Sequence, residues 1–476
     1  MFDFRKLAAN LSFLVFGEIV SKILTFTAFA LLARSFGPVE FGHLEFVLAV
    51  MIFSTLLVDF GANPLGSREV AKARERLGET VAGIVGMRAI LTIPTYGLLL
   101  AFAFVFLWDK PQVRNLLLLY GLSLFFVPFF LQFVFQGLEK MKWVAICSII
   151  RQTVFAGGVI VVVSSTRHLW MVPLIEIAAV FSLSLYCVYM LVFRVRATTG
   201  LKTDPRMLWS TFKEALPIGF SDITWAFMWY FATILLGLFA AGNEVGWFCA
   251  AHRPVITMHT FVWLYFCNLL PTISRSENEP KEVLDDLMRY SMSLMSWGTL
   301  FLGVVGLTMA EPLMVLVFGD KFSESAKVMK VLIWMIPLSS LGCHYRYILI
   351  GYGYQRHEFI SQAAAAAASV VLGFELIPTY GKEGAAFSLI IAVSLYCVLV
   401  YVFVRTYIRR IPFLPYVNKP LLGAAGMLVS FLIINIYSLW IAIVFSSCLY
   451  IVMMVVLQPE VRKMRTMLVS AKFTPP

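Results

Sequence analysis

Hydrophobic runs recur from one end of the chain to the other, and each is long enough to cross a hydrocarbon core of about 30 Å as a helix of about 20 residues. They are read near 11–33, 41–62, 80–107, 114–135, 143–163, 169–193, 213–239, 245–271, 288–309, 327–351, 358–378, 384–405, 413–435 and 439–457. No gap between them leaves room for a soluble domain. Only 14% of the 476 residues are charged, against roughly 25% in soluble globular proteins. The expectation is an all-α polytopic membrane protein with about 14 transmembrane helices.

The first run is too long for a signal-peptide core, and Arg34 follows it where small residues would mark a cleavage site. The seven cysteines fall inside predicted spans and form no C-x-x-C pair, which suggests neither a disulfide framework nor a zinc site. The net charge of +11 is distributed as a topology signal rather than a nucleic-acid footprint. Of 38 Lys and Arg, eight lie in outer loops (Arg34, Lys110, Arg114, Arg167, Lys321, Lys327, Lys330 and Lys382) and five lie inside spans. The remaining 25 fall in inner loops, which the positive-inside rule reads as both termini cytoplasmic. The predicted location is the cell inner membrane, with the lipid bilayer as a partner and no nucleic acid.

The basic segment 194–213 divides the spans into six and eight. Three short matches recur across it in the same order: "GPVEFG" (37–42) with "GNEVG" (242–246), "WDK" (108–110) with "GDK" (319–321), and "FQG" (135–137) with "LIG" (349–351). An even number of spans per copy makes these parallel repeats, with a site expected between them at mid-depth. The predicted organisation is a lobe at 1–200, a second at 201–411, and two appended spans with a tail at 412–476.

The stretches "LLARSFGPVEFG" (31–42), "LLVDFGANPLGSREVA" (56–71), "LPIGFSD" (216–222) and "IPTYGKEGAAFS" (377–388) resemble the polysaccharide-transport branch of the multidrug/oligosaccharidyl-lipid/polysaccharide exporter superfamily, which includes the O-antigen flippases. The resemblance covers essentially the whole chain and implies lipid-linked sugars as the substrate class. Span seven departs from it: many relatives carry an acidic residue mid-span, whereas "WAFMWYFATILLG" (225–237) has none and leaves Asp222 near the inner end.

The five cations inside spans are Lys22, Arg88, Arg151, Arg253 and Arg346. A cation at the bilayer centre costs roughly 2.5–3.5 kcal/mol on insertion scales, so each needs a partner, a wet lining or a route to the interface. At 1.5 Å per residue, Arg88, Arg151 and Arg253 sit about 12 Å deep. Glu18 lies four residues before Lys22 and can neutralise it. His252 and His259 share one face of span eight, too far apart for zinc chelation within a helix, and Pro254 is expected to bend that helix. Glu18, Glu176, Glu375, Asp59 and Asp222 are the acidic candidates for handling a coupling proton or cation, Asp59 and Asp222 reading more readily as structural.

The only Gly-Lys pair, Gly381-Lys382, precedes Glu rather than Ser or Thr, so no phosphate-binding loop for ATP is present. No enzyme activity, metal or cofactor is expected. Arg88, Arg253, Lys22, Arg151 and Arg346, with His252 and His259, are the predicted lining for a diphosphate and its glycan, because guanidinium groups pair with phosphate oxygens through two parallel hydrogen bonds. The predicted function is a flippase that moves a polyprenyl-diphosphate oligosaccharide from the cytoplasmic to the outer leaflet by alternating access, with glycan-assembly membrane proteins as candidate partners. The rivals are a multidrug or small-molecule exporter of the same superfamily, and a membrane-embedded glycan polymerase or transferase.

Overall fold

The computed structural model describes residues 4–165, 168–195 and 205–457. Arg167, the basic residues of 196–204 and both chain ends, on which the predicted orientation partly rests, lie outside the described residues. Among the described residues there is no strand. Helices are what a hydrocarbon solvent permits, because they bond each backbone amide within its own segment.

Among the described residues twelve helices are long and apolar enough to span a bilayer, and the protein is a multi-pass membrane protein. Two of these helices are double-length. α1 (Phe4–Asp59) is 56 residues and α14 (Gln355–Tyr407) is 53. Each is broken by a glycine in a backbone region that side chains disfavour: Gly37 (φ 79°, ψ 178°) and Gly381 (φ 54°, ψ −129°). Pro38 then opens the second half of α1, where a missing N–H costs nothing. The "GP" and "PTYG" motifs are thus hinges between two crossings, and counting the halves separately recovers fourteen.

Span four is not the single regular helix its hydropathy suggests. It runs as α4 (Pro111–Gly121), a 3-10 stretch Leu122–Phe129 containing Pro128, and α5 (Gln132–Gly137). The carbonyls of Phe126 and Phe130 released there are taken up by Ser184 (3.2 Å) and Arg88 (2.8 Å), as backbone irregularity at membrane depth requires.

The chain forms two compact units: Met1–Ala250 with Val315–Phe322 and Ala366–Ser388, and Ala251–Met314 with Ser323–Ala365 and Leu389–Pro476. The first unit contains α1, α2 (Ala62–Lys72), α3 (Leu77–Phe106), α6 (Met141–Ser165), α7 (Met171–Tyr189) and α8 (Pro205–Phe239). Its core gathers Leu65, Ile84, Met87, Phe133, Phe135 and Leu183. α1 lies along α6 closely enough that a Cβ on Gly17 would stand 2.7 Å from that of Ala145. Small residues of this kind let helices approach where lipid provides no hydrophobic drive.

The second unit is built on α9 (Gly242–Arg275, from Ala251 onward), α10 (Lys281–Thr308) and α13 (Met335–Gly351), followed by α15 (Leu414–Ile434) and α16 (Leu439–Leu457). Trp297 of α10, 1% exposed, packs edge-on to Tyr450 of α16, whose hydroxyl donates to the Trp297 carbonyl at 2.7 Å. α9 continues through Pro254 and Pro271. The backbone leaves helical geometry inside α1 at Gly37 and inside α14 at Gly381.

Candidate functional site

The first unit holds a polar cavity of about 180 Å³ inside the bundle. α1 contributes Glu18, Ser21, Lys22 and Thr25, which recur every three or four residues and so share one face. Ser148, Arg151 and Gln152 face them from α6, and Gln132 closes the site from the start of α5. Lys22 Nζ lies 3.5 Å from Glu18 Oε1, the pairing their spacing predicts. The Arg151 guanidinium meets the carboxylate of Glu176 on α7, and Glu176 is buried. Ser21 Oγ is buried, and neither it nor Arg151 Nε has a hydrogen-bonding partner within the protein.

The cavity is smaller than the roughly 300–1,000 Å³ of drug-sized ligand sites. It suits a compact charged group and not a glycan chain. Its two cations are held by carboxylates, so an anion entering would compete for donors already aimed inward. Glu18, once released, would stand in the polar lining, while Glu176 lies buried behind Arg151 and outside it.

Arg88 is placed differently. It is 1% exposed and is not among the residues lining the cavity. One terminal nitrogen donates to the Phe130 carbonyl at 2.8 Å, the other to Asp59, and the guanidinium lies 5.5 Å from the Phe133 ring centre. Arg88 is a strut that ties α1, α3 and the irregular fourth span. Asp59 is its counter-charge.

In the second unit, Arg346 of α13 stands 3.1 Å from Glu358 in the first turn of α14, and Tyr396 donates to that carboxylate at 3.1 Å. His259 is within electrostatic reach of Arg346. His252 is buried, and Arg253 and His259 are half-buried on α9. Asp222 is half-buried on α8, and Glu375 is exposed on α14.

Lys22, Arg88, Arg151 and Arg346 therefore each have a carboxylate partner. Glu358 and Tyr396 escaped the sequence reading because Glu358 begins a span and looks interfacial. His344 escaped it too. Tyr265 donates to Ser291 (2.9 Å), Ser291 lies 2.9 Å from His344 Nε2, and His344 Nδ1 lies 2.8 Å from the Ser340 carbonyl. A carbonyl can only accept, so Nδ1 carries the proton and Nε2 accepts from Ser291. His344 is a satisfied structural histidine. Among the described residues no three His, Cys, Asp or Glu side chains gather in a group that could hold a metal ion.

A protein from Escherichia coli (strain K12) named "Putative O-antigen transporter" is 22% identical over 419 residues, which cover 84% of this chain and 97% of the relative. A solved structure of the lipid II flippase MurJ in an inward closed conformation superposes with a TM-score of 0.77 at 13% identity, over 94% of this chain and 99% of that one. An inward-facing multidrug resistance MATE family transporter of the MOP superfamily gives 0.68 at 14% identity, over 82% and 97%. The fold is thus one shared by lipid flippases and multidrug transporters. Residues 7–277, more than half of the chain, match the family model described as "Polysaccharide biosynthesis protein", and the chain belongs to that family.

Proposed function

We propose that the protein is a flippase that carries a polyprenyl-diphosphate-linked oligosaccharide from the cytoplasmic to the outer leaflet. The observation that carries this reading is the convergence of Lys22 and Arg151 on one polar cavity within the membrane-spanning bundle. An ammonium and a guanidinium side by side suit a diphosphate, the guanidinium through paired hydrogen bonds. The family, the O-antigen cargo in the relative's name and the lipid cargo in the flippase's name support the substrate class.

In this reading Glu18 and Glu176 hold the two cations while the site is empty and give them up to the phosphates. The exchange of one counter-charge for another avoids leaving a bare cation at membrane depth, the costliest state available. The released carboxylates become the places where a coupling proton or cation binds. Arg253, Arg346, His252 and His259 in the second unit are proposed to contact the glycan. Asp59 and Asp222 are assigned structural roles. The charge distribution supports cytoplasmic termini in an inner membrane.

A lining that offers an ammonium and a guanidinium as exchangeable donors supports anionic cargo over the cationic substrates expected of a drug exporter. Proteoliposomes containing the wild-type protein should move a fluorescent lipid-diphosphate oligosaccharide between leaflets at least about tenfold faster than protein-free vesicles, the margin of roughly 1.4 kcal/mol in barrier height. A cationic amphiphile should cross no faster than in those vesicles. The opposite selectivity would assign the protein to drug export.

A further inference from the structure

The two glycine-bearing segments that the internal repeat pairs, one opening the second half of α1 and one opening α9, meet each other in the first unit. A Cβ on Gly42 would overlap the Gly242 carbonyl and stand 2.8 Å from the Gly246 nitrogen, and one on Gly246 would overlap the Pro38 carbonyl. Only glycine at both positions permits this approach. Beside it, Arg34 donates through Nε to the Val317 carbonyl at 2.9 Å and through a terminal nitrogen to that of Leu316. These carbonyls end α11 (Ala310–Phe318), where helix acceptors lack partners and a cation is favoured. The junction thus joins α1, from the first predicted lobe, to α9 and α11, from the second, at the end that the charge distribution assigns to the outside.

Behind the junction is a cavity of about 110 Å³ that contains His43 and Lys110. His43 Nε2 would lie 2.9 Å from a Cβ on Gly242, so the imidazole is wedged against the start of α9. Lys110 Nζ donates to the Gly237 carbonyl at 3.2 Å. Phe46 and Val113 supply apolar wall, and α8 and the start of α9 add small residues, backbone and Val245. Among the described residues Lys110 is therefore the one charged group lining this cavity with His43. Glu40 and Glu45 sit on the same helix as His43. Glu244, at the start of α9, is engaged by Lys382, its Oε2 accepting from the Lys382 amide at 3.0 Å and its Oε1 3.3 Å from Nζ.

We propose that the Gly42–Gly242–Gly246 junction is the closed outer gate and that His43 is its proton-operated release. With a neutral imidazole the cavity holds one cation and the segments stay in contact. A proton arriving on His43 sets two like charges in a small cavity walled by backbone and apolar side chains. That repulsion is relieved by parting the segments and admitting water. The gate then opens in response to acid on the outer side, which would give an inward proton gradient a structural point of action. The word gate rests on the transporter reading, but the opening itself needs no cargo.

Hydrogen exchange by mass spectrometry on the purified full-length protein tests this, with rates corrected for intrinsic pH dependence. Between about pH 7.5 and about pH 4.5, a span wide enough to charge an imidazole that shares a small cavity with a lysine, amides of 39–46, 237–246 and 316–322 should lose protection about tenfold, the factor of one pK unit of differential interaction. His43→Gln should hold its protection at both pH values, and Lys110→Gln should blunt the loss. Unchanged protection around Trp297 and Tyr450 in both variants would certify the fold. Equal protection of the wild-type segments at the two pH values, or an undiminished loss in His43→Gln, would overturn the proposal. Cargo movement is not read in this experiment, so either outcome stands apart from the flippase assay.

Discussion

Arg88→Ala is expected to lower stability by roughly 3–5 kcal/mol, the range seen when one member of a buried ion pair is deleted. The variant would leave the Asp59 carboxylate facing an apolar core and the Phe130 carbonyl without its donor. It would also open a void beside Phe133, over whose ring the guanidinium now lies. The double substitution Arg88→Met, Asp59→Leu should recover much of the loss, because replacing a buried pair by apolar groups of similar volume is often neutral. Thermal or denaturant unfolding in one detergent would show this as a large fall in midpoint for the single variant and a smaller one for the double. Equal midpoints for wild type and Arg88→Ala would show that Arg88 is not a strut. With the midpoint lowered as expected, any transport defect in Arg88→Ala is a consequence of stability.

The cavity cations should behave in the opposite way. Arg151→Ala alone would strand the buried Glu176, so the informative variant is the charge-balanced Arg151→Gln, Glu176→Gln, which keeps a hydrogen-bonded pair of similar size. Its unfolding midpoint should stay near the wild-type value. Its rate of lipid-diphosphate movement should fall roughly 10–100-fold, the equivalent of the roughly 1.5–3 kcal/mol of a hydrogen bond to a charged group. Lys22→Gln, Glu18→Gln should show the same pattern. Arg151→Lys should retain part of the activity, since the charge survives and the two-pronged geometry does not. Wild-type rates in both balanced pairs would remove the cavity from the substrate path.

Much of this architecture could be read from local pattern. Bilayer thickness dictates span length, so hydropathy alone located the crossings. The Glu18–Lys22 pair was visible because a helix brings residues four apart onto one face. The partners of the other cations were not. Asp59 is 29 residues from Arg88, and Glu176 is 25 residues from Arg151 across a helical hairpin, separations at which only packing decides who meets whom. The irregular fourth span was hidden because its residues are as apolar as any helix, and only Pro128 hinted at a break. The breaks at Gly37 and Gly381 were not read either, because positive φ rather than a missing donor interrupts those helices. His43 was passed over because nothing near it in sequence reveals that it faces Lys110 and Gly242.

The central claim is that Lys22 and Arg151 form a diphosphate-recognising site, and equilibrium binding tests it without any transport step. Titration of the detergent-solubilised protein with a short prenyl diphosphate and with the corresponding prenyl alcohol compares two ligands that differ only in the charged group. The diphosphate should bind at least about tenfold more tightly, a difference of roughly 1.4 kcal/mol. That advantage should vanish when both charge-balanced pairs are combined in one variant. Equal affinity for the two ligands, or an advantage that survives loss of both cations, would contradict the account.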